Sequence, residues 1–292
     1  MSHPTIRGSL VALITPFNED GSVNFDKLGE LIDFHLANCT DALVILGTTG
    51  ESHEEDNAVC EYTVKRVAGR IPIIAGSGSN STQTMLEKSL SYERLGADGL
   101  LLITPYYNKT NEEGMYLHFK TVADAVKIPC ILYNVPGRTG CSISVPNVAR
   151  LSQHPNIVGI KEASGNMSYA AKVAKYLSDD FAMYSGNDDM IVPLLSIGAS
   201  GVISVLANIA PKETHQMVFD YLEGLTDDAR RAQIELLDVI NDLFIEVNPV
   251  PVKEAMNLLG MDVGGYRLPL THMTQAHRET LRSSLAAAGF LK

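Results

Sequence analysis

The chain has 292 residues, 45% hydrophobic and 20% charged, with a net charge of −11. That apolar content builds a sizeable core and excludes disorder as the main state. The acidic balance, with no Lys/Arg cluster, excludes a nucleic-acid groove, and no apolar run approaches the roughly 20 residues of a membrane span. The first residues, Met1-Ser2-His3-Pro4-Thr5, carry neither the basic start nor the apolar stretch of a secretory signal. Cys39, Cys60, Cys130 and Cys141 show no CxxC spacing and sit beside apolar residues. They are expected to be buried, reduced thiols in a cytoplasmic protein rather than a zinc site or a disulfide framework.

Eight short apolar runs are expected to be strands. The first four are Leu10–Ile14, Ala42–Leu46, Pro72–Ala75 and Gly99–Ile103. The others are Cys130–Tyr133, Ile157–Ile160, Phe181–Tyr184 and Gly201–Val205. They are continuously apolar rather than alternating, as a sheet buried on both faces requires. Helical stripes fill the gaps: Phe25, Leu28, Ile32 and Leu36 after a cap at Asn24; Met85, Leu86, Ser89 and Leu90 before a stop at Gly96; and Met115, Phe119, Val122 and Val126 after Asn111. Eight consecutive strand–helix units predict an α/β fold, a (β/α)8 TIM barrel, over residues 1–224. A C-terminal helical appendage follows over residues 225–292. Its helices are expected over 229–244, 252–259 and 274–288, separated by Asn248-Pro249-Val250-Pro251 and Leu268-Pro269-Leu270.

A barrel places catalysis at the C-terminal ends of its strands. Lys161 directly follows the sixth run, on or just past a buried strand. Desolvation lowers a lysine pKa, and a neutral amine attacks carbonyls to form Schiff bases; a strand-end lysine paired with Glu162 is the plainer alternative. Tyr133 ends the neighbouring run, as a proton-relaying phenol or a barrel-filling ring. Thr48-Thr49, framed by glycines, could bind a carboxylate, pass a proton to Tyr133, or simply form a tight turn. Arg138 suits bidentate carboxylate recognition, against the alternative of an exposed surface arginine. The Gly76–Asn80 stretch lacks a nearby Lys or Arg and reads as a structural loop rather than a phosphate cradle; Asp188-Asp189 reads as a helix cap rather than a metal site. No metal site is expected, because the histidines lack HxH or HExxH spacing.

The GTTGE turn, TPYYN, YNVPGRTG, GIKEASGN and SGND together resemble the pyruvate-dependent class I aldolase family. Within it they look most like the dihydrodipicolinate synthase subfamily of the diaminopimelate–lysine pathway. The resemblance runs from Gly8 through Asn248-Pro249-Val250-Pro251-Val252-Lys253. It implies condensation of pyruvate with L-aspartate 4-semialdehyde, with no metal or organic cofactor. Lys161 would be the Schiff-base lysine and Tyr133 the proton relay, linked by Thr49 or Thr48 to Tyr107, which would reach into a neighbouring subunit. Arg138 would hold the carboxylate of aspartate semialdehyde, and Gly186 and the Ile203 carbonyl would line the pyruvate pocket. The oligomer implied is a homotetramer, a dimer of dimers. Arg138 and the paired Thr48-Thr49 argue against a retro-aldol lyase of sugar acids, and Lys161, Tyr133, Thr49 and Arg138 together argue against a non-catalytic 2-oxo-acid sensor. Two departures stand out. The loop after Gly50-Glu51-Ser52 is short, and Thr84 and Asp56 or Asn57 stand near positions where lysine-inhibited members carry Glu and His. Weak or absent feedback by lysine is therefore expected.

Overall fold

A computed structural model describes residues 5–51 and 55–291; the stretch after Glu51 where a short loop is expected, residues 52–54, lies outside them. Eight parallel strands form a closed barrel in chain order, β1 Gly8–Ala12, β2 Ala42–Ile45, β3 Ile73–Gly76, β4 Gly99–Ile103, β5 Cys130–Asn134, β6 Ile157–Glu162, β7 Ala182–Ser185 and β8 Gly201–Ser204. Their apolar runs are explained by two cores. One set of side chains, including Leu10, Val44, Ile74, Leu101, Val158 and Ile203, fills the barrel interior. The other, including Val11, Leu43, Leu100, Leu132 and Val202, packs outward under the helices. Both faces are thus dry, which is why no strand alternates with polar residues.

Of the expected strands only β4 keeps both bounds; the other seven shift by one or two residues. β1 begins two residues earlier, because Gly8 pairs with Gly201 to close the ring. That seam is tight: a Cβ on Gly201 would lie 1.9 Å from the Gly8 carbonyl oxygen, so only glycine fits. β6 runs on to Glu162, which places Lys161 inside the strand. β7 starts at Ala182 and ends at Ser185.

The helices after β1 to β4 are α1 Phe25–Ala37, α2 Asp56–Val67, α3 Thr82–Leu95 and α4 Glu112–Ala125. Asn24, Ser81 and Asn111 each accept from the amide three residues on, a cap that contributes about 1 kcal/mol per helix. After β5 come the single turn α5 Pro136–Thr139 and α6 Val145–Leu151; β6, β7 and β8 are followed by α7 Met167–Val173, α8 Ile191–Leu195 and α9 Pro211–Leu222.

The last segment folds as α10 Thr226–Glu235, α11 Leu237–Asp242, α12 Val250–Leu258 and α13 Gln275–Ala287. The single helix expected over 229–244 is two helices that meet at Leu236. Only the first half of the Asn-Pro-Val-Pro stretch is a break: Pro251 lies in the first turn of α12, where its missing N–H costs nothing. Val239, Val252 and Leu281 join the same apolar cluster as Leu28 and Phe119, so the appended helices share the outer core of the barrel. Among the described residues no helix is long and apolar enough to cross a membrane.

All four cysteines are free, but the expectation of uniform burial holds only for Cys60 and Cys130. Burial pushes both of those thiols up to about 12. Cys39 is exposed in a left-handed turn residue (φ 62°) just past α1, and Cys141 is half-buried.

Candidate active site

Parallel strands in register aim paired residues to the same side of the sheet. Tyr133 of β5 pairs with Lys161 of β6, and the Lys161 Nζ stands 4.5 Å from the centroid of the Tyr133 ring. Only 6% of Lys161 and 7% of Tyr133 is exposed. Burial lowers the Lys161 amine to about 8; the Asp188 carboxylate partly restores it and the Arg138 charge lowers it further. The amine is therefore neutral at pH 7 roughly 300-fold more often than an ordinary lysine. Burial raises the Tyr133 phenol, while the Arg138 charge and the Thr48 hydroxyl counteract it.

The two strand ends are braced beside this pair. Asn134 Nδ2 donates to Glu162 Oε2 at 2.8 Å, and Asn134 Oδ1 accepts from the Ile143 N–H at 3.0 Å. Glu162, the plainer partner considered for Lys161, is thus occupied by Asn134 and by the Ser164 N–H at 2.8 Å. Gly186 follows β7. A Cβ there would lie 2.6 Å from the Ala163 Cβ and 3.1 Å from the Lys161 Cε. Glycine at this position leaves room for the lysine and for whatever bonds to it.

The expected Thr48-Thr49 turn is a single 3₁₀ turn, Thr48–Gly50, after β2. The structure separates the two hydroxyls. Thr48 stands beside the Tyr133 phenol, whose pKa its hydroxyl lowers, whereas Thr49 Oγ1 accepts from Asn248 Nδ2 at 3.0 Å. Arg138 lies in α5, exposed, and its Nη2 donates to the Asn248 carbonyl at 3.3 Å. Ile203 sits on β8 opposite Leu10 with its side chain in the barrel interior. Tyr107 is not brought to the site within one chain: it is 91% exposed, in a left-handed backbone conformation (φ 68°).

Two cavities open at this end of the barrel and share Thr48. One of about 380 Å³ runs past Tyr133, Ile103, Ser79, Thr84, Lys88 and Tyr106; the other, of about 690 Å³, has Arg138, Asn248, Glu51 and Arg267 on its wall. The Gly76–Asn80 loop does have a cation near it in space, since Lys88 lines the same cavity, although Lys88 is bound to Asp56 at 2.8 Å. Ser77 Oγ lies 2.8 Å from Ser89 Oγ, which ties that loop to α3. Asp188 is a cap, but not of the helix that follows it. Its Oδ2 accepts from Val205 N at 2.9 Å and Leu206 N at 3.0 Å, at the start of the turn after β8.

The profile of the dihydrodipicolinate synthetase family matches residues 5–288. The chain belongs to that family. The chain is 53% identical over 290 residues to the 4-hydroxy-tetrahydrodipicolinate synthase of Caldicellulosiruptor saccharolyticus, covering 98% of each. It is 50% identical over 295 residues to that of Acetivibrio thermocellus, covering 100% of each. The crystal structure of dihydrodipicolinate synthase from Aquifex aeolicus superposes with a TM-score of 0.93 at 45% identity, over 96% of this chain and 97% of the other. Membership in the dihydrodipicolinate synthetase family agrees with the resemblance carried by the five strand-end motifs. Sequence reasoning did not find Asn248, Glu51 or Lys253. Glu51 and the Asn248–Lys253 stretch entered only as parts of the resemblance, with no role of their own, and the Asn-Pro pair reads as a helix break rather than as a contact with Thr49.

Proposed function

We propose that Lys161 carries the reaction of this family, the condensation of pyruvate with L-aspartate 4-semialdehyde to 4-hydroxy-tetrahydrodipicolinate. The chain is a class I aldolase-type lyase. The observation that carries the assignment is the buried Lys161 amine, lowered to about 8 and facing the Tyr133 ring at 4.5 Å. The neutral amine adds to the pyruvate ketone and expels water to give an iminium. Tyr133 gives its proton to the departing hydroxyl as water leaves, and the tyrosinate so formed, beside the Thr48 hydroxyl, takes a methyl proton while the C–H electron pair forms the enamine. The enamine carbon attacks the aldehyde, and the new alkoxide takes up a proton. The substrate amine then attacks the iminium carbon and expels the Lys161 amine, closing the ring. The iminium is the electron sink, so the chemistry calls for no metal or organic cofactor.

The carboxylates need local donors in an acidic chain. Thr49 suits pyruvate, and Arg138 at the mouth suits aspartate semialdehyde, with Gly186 and Ile203 bordering the pyruvate pocket. Tyr107, exposed beside Tyr106, supports a homotetramer in which its ring completes a neighbouring site. The same reading divides the chain into a catalytic barrel, 1–224, and an appended helical region, 225–292, and places it in the cytoplasm.

Borohydride reduction in the presence of pyruvate, followed by peptide mass spectrometry, tests the assignment. A reduced pyruvate adduct is expected on Lys161 and nowhere else; an unmodified Lys161 overturns it. The trapping rate should follow the neutral amine, falling about tenfold per pH unit below 8 and levelling above it. Lysine at millimolar concentration is expected to inhibit weakly or not at all. Thr84 and Tyr106 share their cavity with Lys88, and Asp56 is bonded to Lys88 and, at 3.2 Å, to Tyr92. Strong inhibition in a steady-state assay would contradict this.

A further inference from the structure

The segment between α11 and α12 ends at the barrel mouth, where Asn248 is buried. Asn248 reaches two loops at once. Its side chain donates to Thr49, 199 residues away, and its carbonyl accepts from Arg138, 110 residues away. A hydroxyl that accepts from an amide keeps its own proton free to donate. Thr49 is therefore held as a donor, the polarity a carboxylate requires. Asn248 Oδ1 is buried with no hydrogen-bond partner among the described residues. Turning the amide over would relieve nothing, because it would leave the NH₂ group unpaired and reverse the Thr49 hydroxyl. The same turn is pinned a second time from α12. Lys253 Nζ lies 2.8 Å from Glu51 Oε1, with both side chains buried, and Glu51 ends the turn in a left-handed conformation (φ 48°).

We propose that Asn248 is a positioning residue for both substrate carboxylates. Through its side chain it fixes the Thr49 hydroxyl as a donor to pyruvate. Through its main-chain carbonyl it holds the Arg138 guanidinium for aspartate semialdehyde. The inference rests on the Schiff-base reading above and adds that the appended segment, not the barrel alone, sets the affinity for both substrates.

Steady-state kinetics of Asn248→Ala, Thr49→Val and the double variant test it. Asn248→Ala is expected to raise the KM for pyruvate roughly 5- to 20-fold. The KM for aspartate semialdehyde should rise by less, since the carbonyl remains. The double variant should be no worse than Thr49→Val alone, because both changes act through one hydroxyl. Asn248→Asp keeps the volume but accepts from Thr49 and turns its proton away, so it should raise the pyruvate KM at least as much as Asn248→Ala. Additive effects in the double variant, or a pyruvate KM unchanged by both substitutions at Asn248, overturn the proposal. Failure of the Schiff-base reading would show separately, as a missing pyruvate adduct on Lys161 in the unsubstituted enzyme.

Discussion

Replacing Lys161 by Met is expected to abolish synthesis and at the same time to stabilise the fold below pH 8. Loss of a covalent nucleophile lowers kcat by roughly 10³- to 10⁶-fold, and borohydride trapping with pyruvate should disappear with it. The stability gain follows from the direction in which burial moves the amine, from an ordinary 10.5 to about 8. A lysine whose folded pKa lies below its unfolded value penalises folding fully below the folded value. The penalty shrinks as pH rises from about 8 to 10.5 and vanishes above. At pH 7 it is at most about 3 kcal/mol. Asp188, itself buried, loses a neighbouring cation in the variant and offsets part of the gain. Thermal unfolding at pH 7 and pH 10 checks the sign: Tm should rise by up to roughly 5 °C at pH 7 and by much less at pH 10. A variant less stable than the parent at pH 7 would mean that the amine is not desolvated.

The second large effect is expected at Lys253, far from Lys161 in sequence. Its side chain is fully buried, paired with Glu51 and set 4.1 Å from the Phe17 ring centroid. Removing one partner of such a pair strands the other charge and costs about 3–5 kcal/mol. Lys253→Met should lower Tm by roughly 5–8 °C. Activity should fall between about tenfold and 100-fold, because Glu51 terminates the turn that carries Thr48 and Thr49. Adding Glu51→Gln neutralises the stranded carboxylate and should recover part of the Tm. Equal Tm values for the single and double variants would show that the two side chains do not act as a pair.

The barrel and the centre of its site were legible in the sequence for one physical reason. Buried parallel strands are continuously apolar, so a lysine or tyrosine at the end of such a run stands out against it. Lys161 and Tyr133 are that contrast, and Asn24, Gly96 and Asn111 mark helix ends by equally local chemistry. Contacts between distant segments left no such mark. Asn248 and Lys253 look like a helix break and the start of a helix until the fold brings them to Thr49 and Glu51. Asp188 reads locally as a cap, and it is one, but for amides after β8. Among the described residues Tyr107 has no hydrogen-bond, ion-pair or ring partner, because the role proposed for it lies in a neighbouring subunit.

The glycine seam between β1 and β8 has a consequence for synthesis. The first strand leaves the ribosome with one edge that nothing can pair until the eighth strand follows, so the growing chain carries two open, adhesive sheet edges for most of its translation. Closure comes late, and the residues that fasten the mouth, Asn248 and Lys253, come later still. A nascent chain would thus shut its barrel before the segment that bears Asn248 and Lys253 could dock on the turn after β2.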